Sequence, residues 1–539
     1  MSFLLLARPL SDMTLLSQTL LIGATFLAPC AYAMNKSGFV REKCYKRILE
    51  DITHGSLPLN HPAFFRDSFG RPMSDSGNLT LTLDGCKMLC GDRRAWYDDI
   101  GPRLSAWLIP ILLLVSNVEL SPLDKRRFYA ILHLLGDPID SIWSLVHKIY
   151  SWDRCYRLAS RYSSVCQRCQ HVIGTVFGGF EELQGPRTIS EDDFDAFCKL
   201  HPFPLYSQQW RRAAVKLADN RTNEFARTCL AISLYVYQLI AGFVKEVGGD
   251  SSSPPGGRIA TSVFLSWLVP TTLLSNAIGN FPSRRTCYDV FSAFELETGG
   301  EVKVSHRESV LMPGLRPLAH ESLTEYFQSL SWSGGIYTFR PWKCESDMRK
   351  GHWPCEGFNL LLSIIPMCIG MTGGFLILWN LIPNGFNCRH TWLIGIFLAW
   401  FASAFITWLS NSPHFATGKY HWHFVLVKDA LIAIPTFTII FLSACGLFNS
   451  CFCWSGYLHY GEHAHVAMDT ESFFEHNDHT IYPLIVGVCL ALQLLFFGSI
   501  MYIWRNGMSL LRWSESTRSR EWQLVQENAN CDCLTEYEF

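Results

Sequence analysis

The sequence predicts an all-α fold: a polytopic transmembrane helical bundle of about seven spans after a signal peptide, with helical cytosolic segments. Three observations carry this. Charged residues are only 17% of the 539, against about 25% in soluble domains. The mean hydropathy is positive, at +0.12. Runs of nearly uncharged residues recur at about 20 residues, the length that crosses the hydrocarbon layer as a helix with its own backbone groups satisfied. The 45 basic and 47 acidic side chains give a net charge of -2. That balance offers no surface for a polyanion, so nucleic acid is excluded and the lipid bilayer is the expected partner.

Residues 13–33 form an apolar run ending in Ala31-Tyr32-Ala33, with Arg8 upstream. Small residues at 31 and 33 fit signal-peptide cleavage, and an uncleaved signal anchor over 1–33 is the alternative. Either form places 34–102 on the lumenal or extracellular side. Spans follow at 103–120, 228–245, 259–280, 359–383, 391–411, 424–447 and 481–503. The cytosolic parts are then 121–227, 281–358 and the tail 504–539, and 448–480 is a His-rich lumenal loop. Lys and Arg number 15 in 121–227 and 9 in 281–358, whereas the outer loops 246–258, 384–390 and 448–480 hold only Arg258 and Arg389. That asymmetry follows the positive-inside rule. Asn35-Lys36-Ser37 and Asn78-Leu79-Thr80 are then lumenal glycosylation acceptors, at Asn35 and Asn78.

Within this plan, 128–147 is apolar but broken by Gly136-Asp137-Pro138. It predicts two short helices on the membrane surface or under the bundle. Gly395, Ala399 and Ser403 on the fifth span, with Gly487 and Ala491 on the seventh, predict faces of close helix packing. The first span carries Trp107, Pro110 and Asn117, and the third carries Trp267, Pro270 and Asn276 in the same direction. Such paired proline-broken spans mark binding sites in transporters, although Trp, Pro and Ser-Asn are also common near membrane interfaces.

Two further groups of residues bear on chemistry. Lys428-Asp429 near the start of the sixth span is an intramembrane charged pair, a functional-site candidate by default. Its nearness to the interface, where Lys can snorkel, favours a structural role. In the 448–480 loop, His459, His463 and His465 are candidate metal ligands, with His459 and His463 one helical turn apart. The preferred reading of that loop is a hydrated one whose histidines charge in an acidic compartment. Cys44, Cys86 and Cys90 are three lumenal cysteines, so at least one pairs elsewhere or stays free, and Cys388, Cys451 and Cys453 are the lumenal candidates. Cys166, Cys169 and His171 resemble half a zinc site, whose second half would need Cys155, Cys198 or His201. No phosphate-binding loop, GxSxG elbow or HExxH motif is present. No cofactor is expected, and an enzyme is the less favoured class.

The run Cys86-Lys87-Met88-Leu89-Cys90-Gly91, then Tyr97-Asp98, Pro102-Arg103-Leu104 and Trp107-Leu108-Ile109-Pro110, resembles a segment of uncharacterised integral membrane proteins of filamentous fungi. Leu134-Leu135-Gly136-Asp137-Pro138-Ile139-Asp140-Ser141 resembles another segment of them, so the likeness covers roughly 80–150. Those proteins are often encoded beside secondary-metabolite genes. The resemblance implies a multi-pass protein of the endomembrane system or plasma membrane, accessory to such a pathway, with membrane-bound biosynthetic enzymes as partners. It assigns no residue a catalytic role. A small-molecule transporter or channel is the alternative, and a membrane-embedded cyclase or metal-dependent oxidase the second.

Overall fold

The computed structural model describes residues 41–56, 64–66, 80–91, 109–118, 127–162, 167–184, 191–203, 205–221, 225–241, 243, 255–279, 284–298, 353–410, 421–444, 448, 450–468 and 480–512. The signal segment, Asn35, Asn78, Trp107, Cys166 and most of 281–358 lie outside the described residues.

Among the described residues, five helical stretches are long and apolar enough to cross a membrane: Gly257–Ile278, Gly357–Trp379, Cys388–Ser410, Phe424–Ser443 and Tyr482–Ile503. The helices that contain them are α10 (Pro255–Phe264) with α11 (Leu268–Ile278), α13 (Trp353–Trp379), α14 (Cys388–Ser410), α15 (His421–Ala444) and α18 (Tyr482–Ile503). Four of the stretches turn apolar side chains outward, among them Leu398, Phe405, Leu431, Leu484 and Leu495, as lipid-facing helices do. The other, Gly257–Ile278, is 89% buried inside the protein. The expected second span is the shorter apolar helix α9 (Phe225–Ala241), and of the first span the described part is helical over 109–116 (α3).

Prolines shape these helices without ending them. Pro270 has no N–H to give the carbonyl four residues back, and the chain tightens into a 3-10 turn at Leu265–Trp267 between α10 and α11. Pro366 and Pro435 lie inside α13 and α15. Gln493 at the middle of α18 donates to Pro366 O at 2.9 Å and to Ser266 Oγ at 3.1 Å, tying three helices at one depth.

Of the small residues on spans five and seven, Ser403 is buried against Lys428, but the two glycines meet no neighbour. A Cβ at Gly395 or Gly487 would meet nothing within 4 Å. The close approach is on α13, where a Cβ at Gly370 would lie 2.6 Å from Phe264 O and one at Gly374 would lie 3.0 Å from Ala260 O. Small residues permit contact only where a partner backbone arrives, and α10 arrives at α13.

The segment expected as two short helices on the membrane surface or under the bundle is enclosed by it, and the second helix is long. Helix α4 (Arg127–Gly136) stops at the proline-bearing break, and α5 (Pro138–Tyr162) runs on for 25 residues. Pro138 suits the first turn of a helix, and Asp137 caps it by accepting the Asp140 N–H at 3.1 Å. Every residue from Pro138 to Ile149 is buried, because α11, α13 and α14 all pack on α5. A periodicity that reads as amphipathic at one face hides the fact that the polar face is also enclosed.

Beyond the bundle, α6 (Gln167–Gln184), α7 (Glu191–Leu200), α8 (Ser207–Asp219) and α12 (Arg284–Glu297) gather an aromatic core. Phe180 stacks on Phe291 at 3.8 Å, and Trp210 sits among Phe177, Phe197 and Phe294. Helix α19 (Arg505–Arg512) follows α18 and lies along α5. Asp153 Oδ1 accepts its Gly507 N–H, and Arg221 donates to Leu511 O at 2.8 Å.

At one end of the bundle sits a small cap that an all-α expectation omits. It contains α1 (Arg41–Thr53), α2 (Leu83–Cys90), α16 (Cys451–Trp454), α17 (Tyr457–Tyr460) and an antiparallel sheet in the order β1 (Phe65–Arg66), β2 (Thr80–Thr82), β3 (His465–Ala467). Three disulfides close it: Cys44–Cys90, Cys86–Cys451 and Cys388–Cys453. These are the six cysteines singled out from the sequence as lumenal.

Candidate functional site

The site begins at the break between α4 and α5. His133, Asp137 and Asp140 stand at intervals of four and three residues, which brings their side chains to one side of the broken helix. Across from them lie the last turns of α14, with Ser403 and Thr407, and Lys428 and Asp429 on α15. All seven are buried.

Backbone contact makes the meeting possible. A Cβ on Gly136 would lie 2.6 Å from Asp429 O and 2.8 Å from its Cα, so only glycine lets α4 approach α15 this closely. Trp400 Nε1 on α14 donates to Leu135 O at 2.8 Å, satisfying one of the carbonyls released where α4 stops.

Two linked arrays result. In one, Lys428 Nζ lies 2.7 Å from Asp137 Oδ2 and 2.8 Å from Asp429 Oδ1. It also donates to Ser403 Oγ at 2.7 Å and Thr407 Oγ1 at 2.6 Å, and Thr407 donates to Asp137. In the other, the His133 ring bridges two carboxylates, with Nδ1 2.6 Å from Asp429 Oδ2 and Nε2 2.9 Å from Asp140 Oδ2. Asp429 belongs to both arrays. Charges brought this deep are tolerated only when paired and hydrogen-bonded.

The polar face continues beyond the cluster. Asp140, Ser144, His147 and Ser151 recur at helical spacing along α5, and each is at most 3% exposed. Ser144 Oγ and Ser151 Oγ have no hydrogen-bond partner among the described residues.

Lys428 and Asp429 are thus not a snorkelling interfacial pair: at 6% and 0% exposure they point into the bundle. Sequence reasoning missed His133, Asp137, Asp140, Ser403 and Thr407. The available signal was four ionisable residues, His133, Asp137, Asp140 and His147, at helical spacing inside the largely apolar run 128–147.

The proline-broken spans do meet, with Thr272 Oγ1 on α11 3.4 Å from Leu114 O on α3. Pro110 lies in α3 and Asn117 just past it, where the Asn117 side-chain amide donates to Leu113 O. Trp267, Pro270 and Asn276 are buried, and Asn276 Nδ2 has no partner among the described residues.

The loop histidines do not converge. His459 packs edge-on to Trp379 and Tyr460, and His465 lies in β3 with Nδ1 2.8 Å from His463 O. Among the described residues, no group of three or more His, Cys, Asp or Glu is placed to hold a metal ion. The half-site residues are dispersed too. His171 contacts Tyr156 and Ser509, while His201 lies among the rings of Phe197, Tyr206 and Phe294. Burial, with Asp195 nearby, pushes the Cys198 thiol up to about 12, which disfavours the thiolate that zinc requires.

The chain matches no family model, no curated protein and no solved structure.

Proposed function

We propose that this is a seven-span membrane carrier for a small molecule, serving a fungal secondary-metabolite pathway as the sequence resemblance implies. The observation that supports it most is the buried polar face of α5, from Asp140 to Ser151, enclosed by otherwise apolar helices. Helices that only need to pack in lipid do so with small and apolar residues, and enclosed ionisable groups belong to ion or solute paths.

In this reading α3 and α9 join the five longer stretches as spans. The three disulfides require 44–90, 388 and 451–453 to share one side of the bilayer, and disulfides persist in oxidising compartments. That supports a lumenal or extracellular cap and a cytosolic α6–α8 and α12 region.

Gene deletion with metabolite profiling of cells and medium tests the carrier. The expected outcome is a pathway compound retained on the wrong side of the membrane. Accumulation of a chemical precursor would instead indicate an enzyme. Outright loss of product would indicate a scaffold for membrane-bound enzymes, the reading favoured by the exposed Leu205 and Leu296 beside the aromatic core.

A further inference from the structure

We propose that the Asp140–His133–Asp429 chain is a proton-binding site, and that the proton it holds or releases decides whether α4 stays docked on α15. The inference rests on the carrier reading for its purpose, where it names the coupling ion, but it stands on geometry of its own.

An imidazole has two ring nitrogens, and when neutral one donates while the other only accepts. Here both lie within 3 Å of a carboxylate oxygen. Both contacts are hydrogen bonds only when the chain holds an additional proton, either as imidazolium between two carboxylates or as a protonated carboxyl donating to a neutral ring. Release of that proton to water leaves a ring lone pair facing a carboxylate oxygen, and one contact becomes repulsive. A single proton is therefore exchanged, with no other bond made or broken.

Three of the packed elements carry the site's titratable groups. Helix α4 supplies His133, and α5 supplies Asp137 and Asp140. Helix α15 supplies Lys428 and Asp429, while α14 supplies only the hydroxyls of Ser403 and Thr407. Lys428 faces Asp429 Oδ1 and the ring faces Oδ2, so the ammonium and the imidazole use different oxygens of the shared carboxylate, and the imidazole is the exchanging part. The break at Gly136-Asp137-Pro138 supplies the joint, because α4 is tied to α5 there by capping rather than by continuous helix.

The test is hydrogen exchange by mass spectrometry on the full-length protein in bilayers of neutral lipid, from about pH 5 to about pH 9, with exchange corrected for its intrinsic pH dependence. Protection of 127–136 and 424–435 should fall together as pH rises, following a single-proton curve. Asp140→Asn should flatten that curve while the protection of α13 and α18 stays at the wild-type level, since a carboxamide can accept from a protonated ring nitrogen or donate to its lone pair, so loss of the proton no longer makes the contact repulsive. His133→Gln, which has one donor and one acceptor at every pH, should flatten it as well and covers the case in which Asp140→Asn does not fold. Wild-type protection of 127–136 that is independent of pH overturns the inference, as does a pH step that survives both variants. A pH step in a protein that moves no solute retains the proton site and removes the carrier. Solute movement with pH-independent protection removes the proton site and leaves the carrier.

Discussion

Helices α14 and α15 are fastened differently at their two ends. At the capped end, Cys388 at the start of α14 is bonded to Cys453 in the loop that follows α15, and neighbouring disulfides draw in the N-terminal segment. At the other end the same pair is held to α4 and α5 by five ionisable side chains and two hydroxyls. A covalent bond keeps its geometry across pH and solvent changes. A buried ionic cluster has strength only while each group keeps its charge and partner, because the desolvation cost stays when a partner is lost. One end of the bundle is thus built to be permanent and the other to respond.

The largest expected effect comes from removing the cation. Lys428→Met leaves Asp137 and Asp429 without their shared partner, and should cost about 3–5 kcal/mol, read as a lower thermal midpoint in detergent. Replacing the bonded pair, Cys388→Ser with Cys453→Ser, should cost about 2–4 kcal/mol. The two can be told apart by reductant, which should lower the midpoint of the wild type and Lys428→Met but not that of the serine pair to the same extent. Gly136→Ala should cost about 1–3 kcal/mol by forcing α4 off the α15 backbone, with raised hydrogen exchange confined to α4 and the start of α15.

The smallest effect lies outside the comparison and calibrates it. Burial holds the His201 imidazole below its usual range, so the unfolded chain binds the proton first as pH falls. Stability from this residue is present above about pH 6.5 and is lost below it. His201→Phe should change stability at neutral pH by less than about 1.5 kcal/mol and shallow the acid side of the midpoint-against-pH curve. In the same region, Cys198 should react slowly with maleimide at neutral pH, since its thiol is held protonated.

How much of this was legible in the sequence follows from what each signal measures. Apolar run length is a property of one helix in lipid, so α13, α14, α15 and α18 were readable, as were the cysteines of the cap. The break at Gly136-Asp137-Pro138 was readable as well, because proline chemistry is local. The fate of α5 was not, since its enclosure depends on α11, α13 and α14 arriving from elsewhere in the chain. The cluster was half visible for the same reason. Lys428 and Asp429 announce themselves as charges in an apolar span, but their partners lie almost 300 residues away. Of the small-residue faces, Ser403 meets Lys428, whereas Gly395 and Gly487 record only permission for contact and Gly370 and Gly374 are the glycines that meet a neighbour.

If the charge cluster serves transport and not merely folding, its charges should be dispensable for the fold and indispensable for the solute. The decisive variant replaces the whole cluster with neutral side chains of similar size: His133→Gln, Asp137→Asn, Asp140→Asn, Lys428→Met and Asp429→Asn together. Neutral substitution of a complete buried ion network is often tolerated, unlike removal of one partner, and the amide introduced by Asp137→Asn retains an oxygen to cap α5. The protein is expected to fold with its disulfide cap intact, yet to fail in proteoliposomes to move the compound that deletion strands in the cell. Movement of that compound at the wild-type rate would show that the cluster only holds the bundle together.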